Sequence, residues 1–317
     1  MANGIDRRQV FLTAGALALS PLVKANAAET PPTKKRESSG EPFRYCLNTS
    51  TIRGQKLSLP EQIDLAAKAG YDGIEPWLGD IQTYADQGGS LADLKQEIAD
   101  QGLTIESAIG FARWIVDDNA KRRQGLRDAE RDMQLVKGIG GSRIAAPPVG
   151  ATGPMELDLI AERYRALLEV GERAGVAPQL ELWGHSPAIH NLSQLAYIAI
   201  AAGKPKTYVL PDVYHMYKGG SDFDGLRMIA GPRIAVFHMN DYPAVPPRDT
   251  ISDQHRIYPG DGVAPLGQII RDLHETGFRG AFSLELFNPI YWKQDPLQVA
   301  QTGLQKMRTA VEAALAS

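Results

Sequence analysis

The sequence predicts an α/β chain folded as a single (β/α)8 TIM barrel, preceded by a signal peptide and a flexible leader. From Phe43 onward, eight short apolar runs alternate with eight longer amphipathic stretches, the rhythm of repeated βα units. No GxGxxG turn follows the first apolar run, so the signature of a dinucleotide-binding doubly wound sheet is missing. The chain has 317 residues, 43% of them hydrophobic and 22% charged, ample for the large core of such a barrel, which commonly spans about 250 residues as one unit.

In order, strands are expected over 44–48, 73–76, 103–108, 142–145, 178–183, 207–211, 234–239 and 281–286. Helices are expected over 60–69, 90–101, 119–138, 156–174, 193–202, 223–229, 266–275 and 297–314. Ser58-Leu59-Pro60-Glu61 opens the first helix with a capping residue and an early proline, and Gly70 closes it. The same succession of helix end, glycine, turn and strand recurs around Gly277.

Residues 1–27 read as a twin-arginine-type export signal. Arg7 and Arg8 precede the apolar run 10–23, and Ala25-Asn26-Ala27 supplies small residues for cleavage. That run is shorter than the roughly 20 residues a bilayer span needs, so no membrane span is expected in the mature chain. Residues 28–42 are polar and rich in Pro, Ser and Gly, a flexible leader; 43–317 form the barrel. The expected location is periplasmic or otherwise extracytoplasmic. The lone Cys46 cannot form an intramolecular disulfide, so the exported domain relies on its core, a metal or an oligomer.

The formal charge is −3, from 34 basic and 37 acidic residues. Loss of residues 1–27 removes Arg7, Arg8 and Lys24 against one acid, Asp6, and leaves the rest more acidic. Such a balance argues against a nucleic-acid partner.

Four potential ligands of one divalent cation stand at the ends of the last four predicted strands: Glu181, Asp212, His238 and Glu285. Glu181, Asp212 and Glu285 each end an apolar run, where an isolated buried carboxylate would cost several kcal/mol or more. All strands of a barrel end on one face, so the four should converge there. Three carboxylates and one imidazole suit Mn2+, Mg2+, Co2+ or Zn2+. Such an ion would polarise a ketose carbonyl and its adjacent hydroxyl, and Glu181 and Glu285, on strands five and eight, would flank the substrate as a proton-transfer pair.

The segments YCLNTSTI, AGYDGIE, ELWGH, DVYHMYKGG, FHMNDYP, DQHRIYPGDG and GFRGAFSLELFNPIYW make residues 43–315 resemble the xylose-isomerase-like barrels, a family of sugar isomerases and epimerases, and most of all its 2-keto-myo-inositol (inosose) isomerase branch. The resemblance implies a metal held by Glu181, Asp212, His238 and Glu285, with the two glutamates also acting as acid and base. It implies a small carbohydrate or cyclitol substrate contacted by His185, His215 and Arg256. The residue-level alternatives are that His185 caps the following helix and that Arg256 pairs with Asp253 or Asp261. Glu75 either touches substrate or holds a neighbouring side chain, and Asp241 either orients His238 or caps a loop. Trp77, Trp114 and Trp183 could offer platforms to a sugar ring or simply pack the barrel. Barrels of this group often pair, which admits a homo-oligomer.

The chain departs from the inositol enzymes in three respects. Tyr217 stands where they carry a second histidine after the one matching His215, the chain carries an export signal, and Pro211 precedes Asp212. The leading expectation is a metal-dependent isomerase or epimerase acting through an enediolate on a keto-sugar, inosose or keto-glycoside. The alternatives are a dehydratase or lyase on a similar substrate and a non-catalytic exported sugar-binding barrel. The related abasic-site endonucleases need more histidine ligands than six histidines in all readily supply, and a basic DNA track.

Overall fold

The computed structural model describes residues 42–316; the expected signal and nearly all of the leader lie outside them. In chain order the elements are β1 (Arg44–Asn48), α1 (Leu59–Ala69), β2 (Gly73–Glu75), α2 (Leu78–Asp86), α3 (Leu91–Asp100), β3 (Thr104–Ile105) and α4 (Asn119–Gly138). There follow β4 (Arg143–Ala146), α5 (Leu157–Ala174), β5 (Ala177–Glu181), α6 (Leu192–Ala201), β6 (Tyr208–Leu210), α7 (Val213–Lys218), β7 (Val236–Met239), α8 (Leu266–Glu275), β8 (Ala281–Leu284) and α9 (Pro296–Leu315).

All strand pairs are parallel. One run is ordered β3-β2-β1-β8-β7 and the other β4-β5-β6. Single contacts complete the ring: Ala145 N–H donates to the Ala108 carbonyl at 2.8 Å, and Val209 and Asp212 bridge to Ile234 and His238. Every expected strand is present, most trimmed by one or two residues at an end. The third is the shortest, because beyond Ile105 the chain makes isolated contacts rather than a ladder.

Period-2 alternation sorts each strand into an outer and an inner face. Leu47, Ile74, Leu180, Val209, Phe237, Phe282 and Leu284 belong to the main core, which also holds the buried helix faces. Cys46, Ile109, Ala145, Leu210, Val236 and Ala281 form a separate small apolar cluster, the plug of the barrel. Two residues further along the same inner faces come Asn48 after Cys46, Asp212 after Leu210 and His238 after Val236. Glu181 likewise follows Gln179, Glu285 follows Ser283 and Glu75 follows Gly73. The polar layer therefore sits directly above the apolar plug, at the C-terminal strand ends.

Two helices were not expected. In α2 only Ile81 is buried, and its glycine and threonine make it read as loop. The α7 helix starts at once after Asp212 and is 6 residues long, too short to show a helical repeat. The expected helix over 223–229 is a 3-10 turn, Phe223–Met228, capped by Asp222. Among the described residues no helix is long and apolar enough to cross a membrane.

Candidate metal centre

Asp212, His238 and Glu285 bring one ligand atom each within 4.8 Å of one another, all buried. His238 Nδ1 lies 3.1 Å from Glu285 Oε2 and 3.6 Å from Asp212 Oδ2, with hydrogen-bond geometry to neither. Its Nε2 is 3.0 Å from Glu75 Oε2. Glu181, the fourth expected ligand, lies outside this triad, although its charge is felt there. Its Oε1 accepts from Trp183 Nε1 at 3.1 Å, and its Oε2 is buried without a hydrogen-bond partner.

Asp212 begins α7, and its Oδ1 caps the helix by accepting from the His215 N–H at 2.8 Å. Oδ2 faces the cluster and accepts from Asn240 Nδ2 at 3.1 Å and Arg256 Nη1 at 2.8 Å. Pro211 causes no loss of pairing: β6 has ended, and the Pro211 carbonyl accepts from the His238 N–H at 3.0 Å.

Arg256 is wholly buried. Its Nη1 also donates to Glu285 Oε2 at 2.7 Å, and its Nη2 donates to Asp253 Oδ1 at 2.6 Å and lies 3.0 Å from His215 Nε2. The guanidinium carbon is 4.6 Å from the Tyr214 ring centroid and 5.0 Å from that of Phe287. Of the two pairings weighed for Arg256, Asp253 is the one formed; Asp261 pairs with Lys306 instead.

The electrostatics fit a cation site. Burial acts to lower the His238 pKa, but Glu285 and Glu75 outweigh it and raise it well above the ordinary histidine value. Burial raises the Glu181 carboxyl to about 8, with His238 opposing and Glu285 and Asp212 reinforcing. Burial would raise Asp212 too, yet the Arg256 guanidinium holds it well below the usual carboxylate range. Burial and the neighbouring Arg256 push His215 down to about 3, so its ring is neutral. A buried imidazole nitrogen without a hydrogen-bond partner, facing two carboxylates, is a donor set suited to a divalent ion.

An aromatic rim borders the cluster. Phe111 lies 5.1 Å from Trp77 and 6.3 Å from Trp183, and Trp183 stacks on His185 at 5.4 Å. Trp77 Nε1 donates to Asn48 Oδ1 at 3.2 Å. Trp114 does not belong to this rim: it is fully buried, donates to the Pro147 carbonyl and packs on Tyr164.

Asp241 is a loop cap and does not orient His238. Its oxygens accept from the N–H groups of Tyr242, Gly260, Gly262 and Ala264. Alternation turns Asp241 away and puts Asn240 on the inner face with His238. Asn48, Asn240, Ser283, Phe111 and Phe287 were not singled out in the sequence. A polar residue ending an apolar run, as in Tyr45-Cys46-Leu47-Asn48, was the available signal for the first. A 550 Å3 cavity lined by Arg143, Lys204, Lys206 and Tyr208 lies at the opposite, N-terminal ends of β4 and β6, remote from this chemistry.

Fold and site together define a (β/α)8 barrel with a candidate metal centre at the C-terminal strand ends. The chain belongs to the xylose isomerase-like TIM barrel family, whose model matches residues 63–310. It is 25% identical over 274 residues to an inosose isomerase of Bacillus velezensis, covering 85% of this chain and 97% of that protein. It is 26% identical over 253 residues to a 3-dehydroshikimate dehydratase of Pseudomonas putida, covering 79% of this chain but 39% of that longer protein. The crystal structure of the IolI protein with a bound zinc atom superposes with a TM-score of 0.80 at 22% identity, covering 86% of this chain and 99% of that one.

Proposed function

We propose that this chain is a divalent-metal-dependent isomerase or epimerase that relocates a proton next to a carbonyl in a keto-sugar, an inosose or a keto-glycoside. The convergence of Asp212, His238 and Glu285, with Glu181 buried beside them, carries the reading. These four would hold one ion, Mn2+, Mg2+, Co2+ or Zn2+. A bound ion supplies Lewis acidity to the carbonyl and neighbouring hydroxyl oxygens, which acidifies the C–H between them.

Glu181 and Glu285 act as the proton-transfer pair. One carboxylate takes the proton from carbon, leaving an enediolate, and the other carboxyl returns a proton. Return to the opposite face of the same carbon gives epimerisation; return to the neighbouring carbon, with the proton of the adjacent hydroxyl passing to the former carbonyl oxygen, gives isomerisation. Arg256 holds the Glu285 and Asp212 oxygens in place, and Arg256, His185 and His215 would hydrogen-bond substrate oxygens. Burial of the cluster excludes bulk water from the transfer.

The test is proton exchange. The mature protein, loaded with each of the four metals, is incubated in D2O with a panel of ketoses, inososes and 3-keto-glycosides. Deuterium should appear at the carbon next to the carbonyl of at least one substrate, and only with metal. Full activity in a metal-free preparation, or no exchange with any member, would sink the reading. A dehydratase is the second reading, favoured by the similarity to the dehydroshikimate enzyme. There the enediolate expels a β-hydroxyl, giving a conjugated carbonyl that absorbs in the near ultraviolet, whereas isomerisation conserves mass.

We also propose export through residues 1–27, supported by the order of arginine pair, apolar run and Ala-Asn-Ala. Replacing Arg7 and Arg8 with lysine should retain the protein in the cytoplasm on fractionation.

A further inference from the structure

We propose that Glu75 is a positioning residue for the metal centre: it holds the His238 ring with Nε2 protonated, which leaves Nδ1 free to ligate. This rests on the metal-dependent reading above and adds to it a residue outside the ligand set. Glu75 ends β2 and is completely buried. Its Oε2 receives three groups: His238 Nε2 at 3.0 Å, Asn48 Nδ2 at 2.9 Å and Ser283 Oγ at 2.7 Å.

The amide comes from the adjoining strand β1, and the hydroxyl from β8 on the far side of β1. Asn48 ends β1, Ser283 lies in β8, and β1 pairs with both β2 and β8, in the register Asn48↔Glu75 on one side and Cys46↔Ser283 on the other. The carboxylate is thus clamped by neighbours whose spacing is set by the sheet, and it meets His238 from across the barrel. An Nε2–H donated to a carboxylate fixes both the rotation of the ring about its Cβ–Cγ bond and its tautomer, and makes Nδ1 a better donor.

The other side of the ring agrees with this assignment. Nδ1 faces Glu285 Oε2 and Asp212 Oδ2, the two other members of the triad, and has no hydrogen bond of its own. Asn48 extends the device, since its Nδ2 also lies 3.1 Å from Glu285 Oε1. One amide therefore ties the positioning carboxylate to a ligand carboxylate. All three contacts fall on Oε2, while Oε1 is buried without a hydrogen-bond partner.

The experiment compares wild type, Glu75→Gln and Glu75→Leu as full mature chains, each checked for folding by near-ultraviolet circular dichroism and thermal melting. Co2+ affinity is measured by chelator competition, with the cobalt absorption spectrum recorded. Zinc-loaded samples labelled with 15N at the six histidines are read for the His238 ring nitrogens. Wild type should show a protonated Nε2 and a metal-bound Nδ1. Glu75→Leu should bind Co2+ about 10–100-fold more weakly with an altered spectrum, and Glu75→Gln, which keeps an oxygen acceptor, should fall between.

Should both folded variants bind Co2+ within twofold of wild type with unchanged His238 shifts, the assignment of Glu75 is wrong and the metal reading stands. Should wild type itself bind neither ion, both fall. Metal bound through Nε2 in wild type would also overturn the proposal. Glu75→Gln keeps the test open if Glu75→Leu does not fold.

Discussion

The two oxygens of Asp212 have separate tasks: Oδ1 caps α7, and Oδ2 faces His238 and Arg256. Asp212→Asn keeps the cap and loses the charge, whereas Asp212→Ala loses both. Both variants should lose bound metal, by elemental analysis, and Asp212→Ala should melt lower, with about 1 kcal/mol of stability attributable to the cap. Glu181→Gln and Glu285→Gln should each cut kcat about 10²–10⁴-fold, with less change in KM, on whichever substrate shows exchange. If both retain near-wild-type turnover, the proton-transfer assignment is wrong. A residue remote from the site offers a pH test. Asp132 in α4 is nearly buried, and burial raises its carboxyl to about 6, with Arg131 opposing. A raised carboxyl contributes its stability fully below the unfolded pKa, near 3.8, and loses it as pH rises through about 6. Asp132→Asn should therefore melt like wild type below pH 3.8 and increasingly above it from pH 4 to 7.

At the scale of elements, the strands were readable because each is a short apolar run bounded by turn residues, and the long helices because their buried faces repeat at helical spacing. Three helices are placed by strong local signals: Asn119–Gly138 by the Asp118 cap, Leu266–Glu275 by its apolar stripe, and Leu59–Ala69 by its Ser58 capping box. The misses have different causes. The α7 helix is short and apolar, and its helical start depends on the Asp212 cap rather than on any pattern in its own residues. The trimmed ends of β3 and β6 depend on partners far away in sequence. The α6 helix has its own capping box, with Asn191 Oδ1 accepting from the Gln194 N–H at 3.0 Å and Gln194 Oε1 returning to the Asn191 N–H. Asn191→Ala should cost about 1 kcal/mol in a denaturant titration without altering metal content.

For the whole molecule, the site depends on ring closure. The triad draws on β7 and on the residues that follow β6 and β8, and its supporting side chains come from β1 and β2 as well. A ligand that spans these elements should stabilise the fold as a unit. Adding Zn2+ or Co2+ at a hundredfold excess over Kd should raise stability by about 2.7 kcal/mol, seen as a higher Tm, and chelator should reverse it. His238→Ala should show neither response. A wild-type Tm unmoved by any divalent ion would contradict a metal centre held by these strands.

The sequence by itself determined the barrel class, the eight strands and the place of Glu181, Asp212, His238 and Glu285 at the strand ends, because apolar runs and the turn residues that bound them are local properties. It also carried the family, through motifs such as DQHRIYPGDG and ELWGH. Only the tertiary structure decided who meets whom. It put Arg256 between two ligand carboxylates, kept Glu181 outside the tight triad, sent Trp114 to the core, and set Glu75 rather than Asp241 behind His238. These outcomes depend on the register of neighbouring strands and on closure of the ring, which relate residues from 29 to 163 positions apart and leave no mark in local pattern.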